Sequence, residues 1–293
     1  MTVGFLFRLF ARLPLSWLHR LGGWAGWLVY LCSPAYRRRL RANLAQAMGT
    51  PSRALLRGAI AEAGRQGLEV CWIWLRPLET VLAAVRVVQG LELVEAARRD
   101  GAGILFLTPH LGCFELAAHY CAHVGGAPLA VLYRPPRYRA LEPLMQAGRG
   151  RGAVTTAPAD LAGVRQLLKA LRAHEMVGML PDQVPGAGEG VWADFFGRPA
   201  WTMTLGARLA AVRGVRTIYV WVERLPRGQG YAVHYSAPSQ ACDGDLAARC
   251  AAMNREIEHL VRLCPQQYLW GYNRYKQPRG MRDDGRAKAE TGA

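Results

Sequence analysis

Residues 104–115 read Ile-Leu-Phe-Leu-Thr-Pro-His-Leu-Gly-Cys-Phe-Glu, from Ile104 to Glu115. Ile104 to Leu107 form a continuous apolar run behind a glycine-rich lead-in, the pattern of a strand buried on both faces in a parallel sheet. Pro109 ends it. From Gly112 the spacing turns helical, with Phe114, Leu116, Ala117, Tyr120 and Cys121 along one apolar stripe. The stretch predicts a strand, a turn bearing His110, and a helix whose first turn bears Glu115. Such turns, at the carboxyl ends of parallel strands, form the ligand crevice of α/β sheets.

A carboxylate held against one imidazole nitrogen fixes the tautomer and stabilises the imidazolium, which leaves the other nitrogen free as a base. The spacing assigns these roles to Glu115 and His110. No GxSxG elbow accompanies them, so the expected chemistry is direct deprotonation of an acceptor hydroxyl rather than a covalent enzyme intermediate. The competing reading is a satisfied histidine at a helix start, with a glutamate complementing the helix dipole. Cys113 adjoins the pair and reads as a small buried hydrophobe rather than a nucleophile.

Outward from this element the alternation continues. Upstream lie a helical region over 52–85, a strand at 85–88 and a helix at 91–99. Downstream come a strand at 129–133 followed by Arg134, a helix at 138–147, a strand at 154–156, a helix at 161–172 and a strand at 176–180 running into Asp182 and Gln183. This predicts an α/β fold with a mostly parallel sheet flanked by helices. Parallel strands end on one side, so His110, Arg134 and Asp182 should gather along one edge. Residues 183–201 read as a long Gly/Pro-rich loop carrying aromatics. Thr202 or Thr204 then caps a helix reaching Val212, 218–223 and 231–235 read as outer strands, and 246–263 as an amphipathic helix.

The amino-terminal end has a different character. Residues 1–61 hold nine arginines and no acidic residue, and 21–36 form an uncharged run, LGGWAGWLVYLCSPAY, followed by Arg37, Arg38, Arg39 and Arg41. Sixteen residues fall short of the roughly 20 that cross a bilayer core, so a marginal span and an interfacial helix both fit. A basic cluster after the run, and no small-residue cleavage site, argue against a signal peptide. The expected organisation is a membrane-associated helical segment over 1–45, a catalytic domain over 46–276 and a disordered tail over 277–293. The positive-inside rule puts the catalytic domain on the cytoplasmic side.

The chain has 37 Lys and Arg against 21 Asp and Glu, a formal charge of +16. This implies anionic partners: a membrane surface, an acidic carrier protein or nucleic acid. The aromatics form no recognisable nucleic-acid motif, and a polybasic adaptor without catalysis has no need of a His/Glu pair at a strand end. Seven scattered cysteines without ligand spacing imply a reducing compartment and no structural zinc.

Together HLGCFE at 110–115, YRP at 133–135, PDQ at 181–183, FFGRPA at 195–200 and PQQYLWGYNRYK at 265–276 resemble the bacterial lipid A late acyltransferases, within the lysophospholipid acyltransferase superfamily. The resemblance covers nearly the whole chain. It implies an inner-membrane enzyme without a cofactor, which moves an acyl chain from an acyl carrier protein thioester to a hydroxyl of a lipid A precursor. His110 and Glu115 would be catalytic, and Arg134, Arg149, Asp182 and Gln183 would bind substrate or the oxyanion. Arg134 has the strand-end position, whereas Arg149 matches another recurrent family arginine. Cys113-Phe114 and Pro181 depart from the commoner family residues and leave acceptor and chain length open. A lysophospholipid, an ornithine lipid or another glycolipid are alternative acceptors.

Overall fold

The computed structural model describes residues 3–134, 136, 141–240 and 242–278. Five helices come first: α1 (Val3–Ala11), α2 (Leu15–Cys32), α3 (Pro34–Met48), α4 (Arg53–Leu75) and α5 (Leu78–Leu82). The alternating part follows as β1 (Val85–Gln89), α6 (Leu91–Arg99), β2 (Gly103–Leu107), α7 (Phe114–Gly125), β3 (Leu129–Tyr133), α8 (Glu142–Arg149), β4 (Val154–Pro158), α9 (Leu161–Arg172) and β5 (Met176–Met179). The chain continues through β6 (Gly190–Phe195), β7 (Arg198–Met203), α10 (Leu205–Ala210), β8 (Val215–Arg224), β9 (Tyr231–Ser236) and α11 (Leu246–Leu263).

Seven strands form one sheet in the order β1-β9-β8-β2-β5-β3-β4, parallel except between β8 and β9. Every side chain of β2 is buried, because helices cover both faces. Leu105 and Leu107 enter one core, with Tyr219, Trp221, Met253 and Ile257, and Ile104 and Phe106 enter the other, with Leu116, Cys121 and Tyr235. This two-sided burial is why the strand reads as an unbroken apolar run. Asp160 and Asp245 accept hydrogen bonds from Gly163 and Ala248 N–H and so cap α9 and α11.

The sequence expectation needs correction in several places. Residues 183–201 are not structureless: β6 and β7 pair as an antiparallel hairpin with Trp192 opposite Trp201. β8 is an interior strand beside β2 rather than an outer one, and β1 takes the edge beyond β9. Thr204 precedes α10, but its hydroxyl donates to the Glu189 carbonyl instead of capping the helix. The helix expected at 138–147 is observed as Glu142–Arg149, and its first residues lie outside the described ones, as does the tail from 279. The uncharged run 21–36 is broken at Ser33-Pro34, where proline takes the first position of α3 because its missing N–H is unneeded there.

Among the described residues no helix is long and apolar enough to cross a membrane. α2 instead lies against α4, and the contact is glycine on glycine. A Cβ on Gly26 would stand 2.2 Å from the Ile60 carbonyl oxygen, and one on Gly64 would stand 2.0 Å from that of Gly22. Any larger residue would push the helices apart. The opposite face leaves Trp17, Trp24, Leu28 and Leu31 exposed, and α1 likewise exposes Phe5 and Leu9.

Candidate active site

The register of the sheet builds the centre of the site. Leu107 on β2 is the partner of Met179 on β5, and three residues beyond each stand His110 and Asp182. His110 Nδ1 is 2.7 Å from Asp182 Oδ1, and the His110 backbone N–H donates to Oδ2 at 2.9 Å. Both oxygens of one carboxylate thus hold one residue. Burial alone would push the Asp182 carboxyl up, but attraction to His110 when its ring is protonated, the two hydrogen bonds from His110 and the nearby Tyr268 hydroxyl hold it below the ordinary carboxylate range.

An ionised carboxylate only accepts, so Nδ1 carries the imidazole hydrogen and Nε2 presents its lone pair. Gln183 Nε2 lies 2.9 Å from that lone pair, where an amide N–H donates to it. Phe114 packs on the imidazole with ring centroids 4.7 Å apart. The carboxyl-terminal segment closes the other side: Leu269 N–H donates to the His110 carbonyl, and Leu111 bridges Tyr268. Asn43 of α3 ties that segment down through the Trp270 and Tyr272 carbonyls, both at 2.8 Å.

Glu115 does not serve as the partner of His110. Its carboxylate instead accepts two hydrogen bonds from Arg149, through Nε at 2.9 Å and through Nη2, and a third from the Trp74 indole N–H at 3.0 Å. Burial would raise the Glu115 carboxyl, but the Arg149 charge, its hydrogen bonds and Trp74 hold it below its ordinary value. The physical reason for the exchange of partners is direction. The carboxylate nearest His110 comes from the neighbouring in-register strand, whereas the first turn of α7 aims Glu115 toward α4 and the end of α8.

The two arginines separate as well. Arg149 forms the two-pronged pair with Glu115, and its guanidinium stands 5.8 Å from the Trp74 ring centroid. Arg134 has an exposed guanidinium whose ion-pair partner is Glu189 at 3.9 Å, and it joins neither carboxylate of the site. Cys113 is buried. Burial, together with Glu69 beside it, pushes its thiol well above the ordinary value, which disfavours the thiolate form a nucleophile needs. Among the described residues no cluster of three His, Cys, Asp or Glu side chains could hold a metal.

Residues 1–277 match the family described as bacterial lipid A biosynthesis acyltransferase. The chain belongs to that family. Among curated relatives of this acyltransferase family, a lipid A biosynthesis acyltransferase of Haemophilus influenzae is 30% identical over 185 residues, 62% of this chain and 56% of that protein. The lipid A biosynthesis lauroyltransferase of Escherichia coli is 27% identical over 215 residues, covering 72% and 68% of the two chains. The palmitoleoyltransferase of the same organism is 26% identical over 190 residues, covering 64% and 61%. The match therefore spans little more than half of the first relative's length.

Other residues of the site are not among the expected catalytic or substrate-binding ones. Trp74 belongs to a bulky cluster on α4, Val70, Trp72, Ile73, Trp74 and Leu75, that sequence alone reads more readily as core than as the lining of an acyl groove, and only its indole bond to Glu115 places it here. Tyr268 lies in the aromatic carboxyl-terminal run, where the density of aromatics beside Arg274 was the available signal. Arg274 is buried and donates to the Trp201 carbonyl and the Thr202 hydroxyl, which pins the run onto the β6–β7 hairpin.

Proposed function

We propose that this chain transfers a fatty acyl group from an acyl carrier protein thioester to a hydroxyl of a lipid A precursor, with His110 as the base. The observation that carries the reading is the 2.7 Å contact between His110 Nδ1 and Asp182, which leaves Nε2 basic and Gln183 where a hydroxyl would donate. Membership of a family named for this activity supports it.

In the proposed reaction the acceptor hydroxyl displaces the Gln183 amide and gives its proton to Nε2 as its oxygen attacks the thioester carbonyl. Asp182 stabilises the imidazolium that results. The tetrahedral intermediate then collapses, its carbon–sulfur bond breaks, and the departing thiolate recovers the proton from Nε2. An ester and a free thiol remain. Glu115 holds Arg149 in a fixed two-pronged orientation, and the arginine supplies positive charge toward the oxyanion.

The enzyme would act at a cytoplasmic membrane face. The exposed row on α1 and α2 would rest in the lipid interface, with Arg37, Arg38, Arg39 and Arg41 near anionic headgroups. The test is transfer of labelled laurate from acyl carrier protein to a disaccharide lipid A precursor by purified protein. Transfer that needs both His110 and the precursor's free hydroxyl is expected. Transfer to a lysophospholipid or ornithine lipid alone would reassign the acceptor, and salt-sensitive binding without turnover would remove the enzyme reading.

A further inference from the structure

The peptide unit joining Gly112 to Cys113 lies midway between His110 and Glu115, and both of its polar ends are held by the end of β8. The Gly112 carbonyl accepts from Arg224 Nη2 at 2.7 Å, and the Cys113 N–H donates to the Val222 carbonyl at 2.7 Å. Gly112 is confined to this geometry, since its φ is +62° and a Cβ there would stand 1.9 Å from the Val222 oxygen.

Arg224 is itself fully committed. Its guanidinium donates to both oxygens of Glu69, at 2.8 and 2.5 Å, and to Glu62 at 3.2 Å, both carboxylates lying on one face of α4. Gln267 bonds the Arg224 backbone in both directions, at 2.9 and 3.0 Å. Tyr231 O–H donates to Glu69, and His19 of α2 brings Nε2 within 3.4 Å of the same carboxylate. Arg224 and Glu69 are almost wholly inaccessible. A buried ion cluster is a poor source of stability, because apolar groups of the same volume often serve as well. An apolar group could not donate to the Gly112 carbonyl, and a lysine could not reach these acceptors in one plane.

We propose that Arg224 is a positioning residue for acyl transfer: it fixes the peptide from which His110 and Glu115 diverge and, through Glu69, ties that peptide to α4 and α2. The proposal rests on the acyl-transfer reading above. It adds a residue that lies outside all of the site motifs, between FFGRPA at 195–200 and PQQYLWGYNRYK at 265–276.

The test compares full-length wild type, Arg224→Lys and the double variant Glu69→Gln/Arg224→Met. The double variant leaves no carboxylate without a counterpart, since Glu62 keeps Arg65, and it should fold. Three readouts apply: thermal melting, peptide-resolved hydrogen exchange across residues 108–116, and kcat and KM for laurate transfer from acyl carrier protein to a lipid A precursor. The double variant should melt cooperatively, exchange faster across the turn, and lose about 10²-fold in kcat with KM little changed, the penalty of a slightly misplaced catalytic group. Arg224→Lys should recover only part of that loss.

Wild-type exchange and kcat in the double variant would overturn the proposal, and so would full recovery by lysine, which would reduce the role to charge. If wild type itself transfers nothing to the precursor, the functional reading fails. The exchange measurement needs no substrate and still decides whether Arg224 sets the turn.

Discussion

His110 Nδ1 and Asp182 Oδ1 stand 2.7 Å apart although 72 residues of chain separate them. Five residues separate His110 from Glu115, yet those two side chains have different partners. The short-range motif is thus two pairs side by side, a hydrogen-bonded imidazole and carboxylate in His110 with Asp182 and an ion pair in Glu115 with Arg149. The assignment of the charge that supports the imidazolium moves accordingly from α7 to the end of β5.

Asp182→Asn should therefore be the variant that shifts the acid limb of the kcat/KM profile. Removing the counter-charge disfavours the imidazolium, so the limb moves to lower pH while the rate on the plateau falls about 10²- to 10⁴-fold. Glu115→Gln should lower the plateau through a loosened Arg149 and leave the limb in place. A limb that moves with Glu115→Gln and stays with Asp182→Asn would restore the short-range pairing.

Covalent and direct mechanisms part at Cys113. Single-turnover transfer should survive Cys113→Ser, whose side chain is buried away from any acceptor, and should fall about 10²- to 10⁴-fold in His110→Ala. Labelled acyl group trapped on Cys113, or an active His110→Ala enzyme, would reverse that assignment.

Acid stability provides a test that needs no substrate. Asp182 and Glu115 both titrate below their ordinary values in the folded chain. Depressed carboxylates contribute stability that is complete above the unfolded values, near about 4, and is lost as pH falls through the folded ones. The melting temperature of wild type should drop below about pH 4 more steeply than that of Asp182→Asn/Glu115→Gln, whose curve is flatter. Parallel acid limbs in a series of melts would show that neither pairing persists in solution.

Interfacial attachment predicts that alkaline carbonate releases the intact protein from membranes, and that Trp24→Ser/Leu28→Ser weakens sedimentation with anionic vesicles. These side chains are 70% and 63% exposed, so their loss should reduce lipid binding by about 10-fold or more without altering the melt. Undiminished sedimentation would assign attachment elsewhere.

The parallel sheet was legible because fully buried strands leave apolar runs and helices leave periodic ones. The boundaries of α6, β3, α9 and α11 follow from the sequence for that reason. What escaped reading has a common cause: it depends on which strands become neighbours. Nothing local in Tyr231–Ser236 says that β9 will pair with β1 on one side and β8 on the other, and the position of β8 beside β2 delivers Arg224 to Gly112. The strand-end rule did bring His110 and Asp182 to one edge. It could not tell which carboxylate faces the imidazole, because that depends on the register Leu107 to Met179. The β6–β7 hairpin was hidden by glycines and prolines that ordinarily mark loops, and its strands pair only with each other.

The glycine contact between α2 and α4 has a bearing on which lipids can react. With Gly22, Gly26 and Gly64 in backbone contact, α2 has no freedom to slide along α4 or to roll on it. If the row of Trp17, Trp24 and Leu28 rests in a lipid surface, as proposed, the imidazole would be carried at one altitude above that surface, as on a gauge with a fixed foot. A hydroxyl seated deeper or shallower than that level would miss Nε2 even where its chemistry is suitable. Depth in the bilayer would then become a coordinate of substrate choice, set by the contact of two helices outside the His110 site.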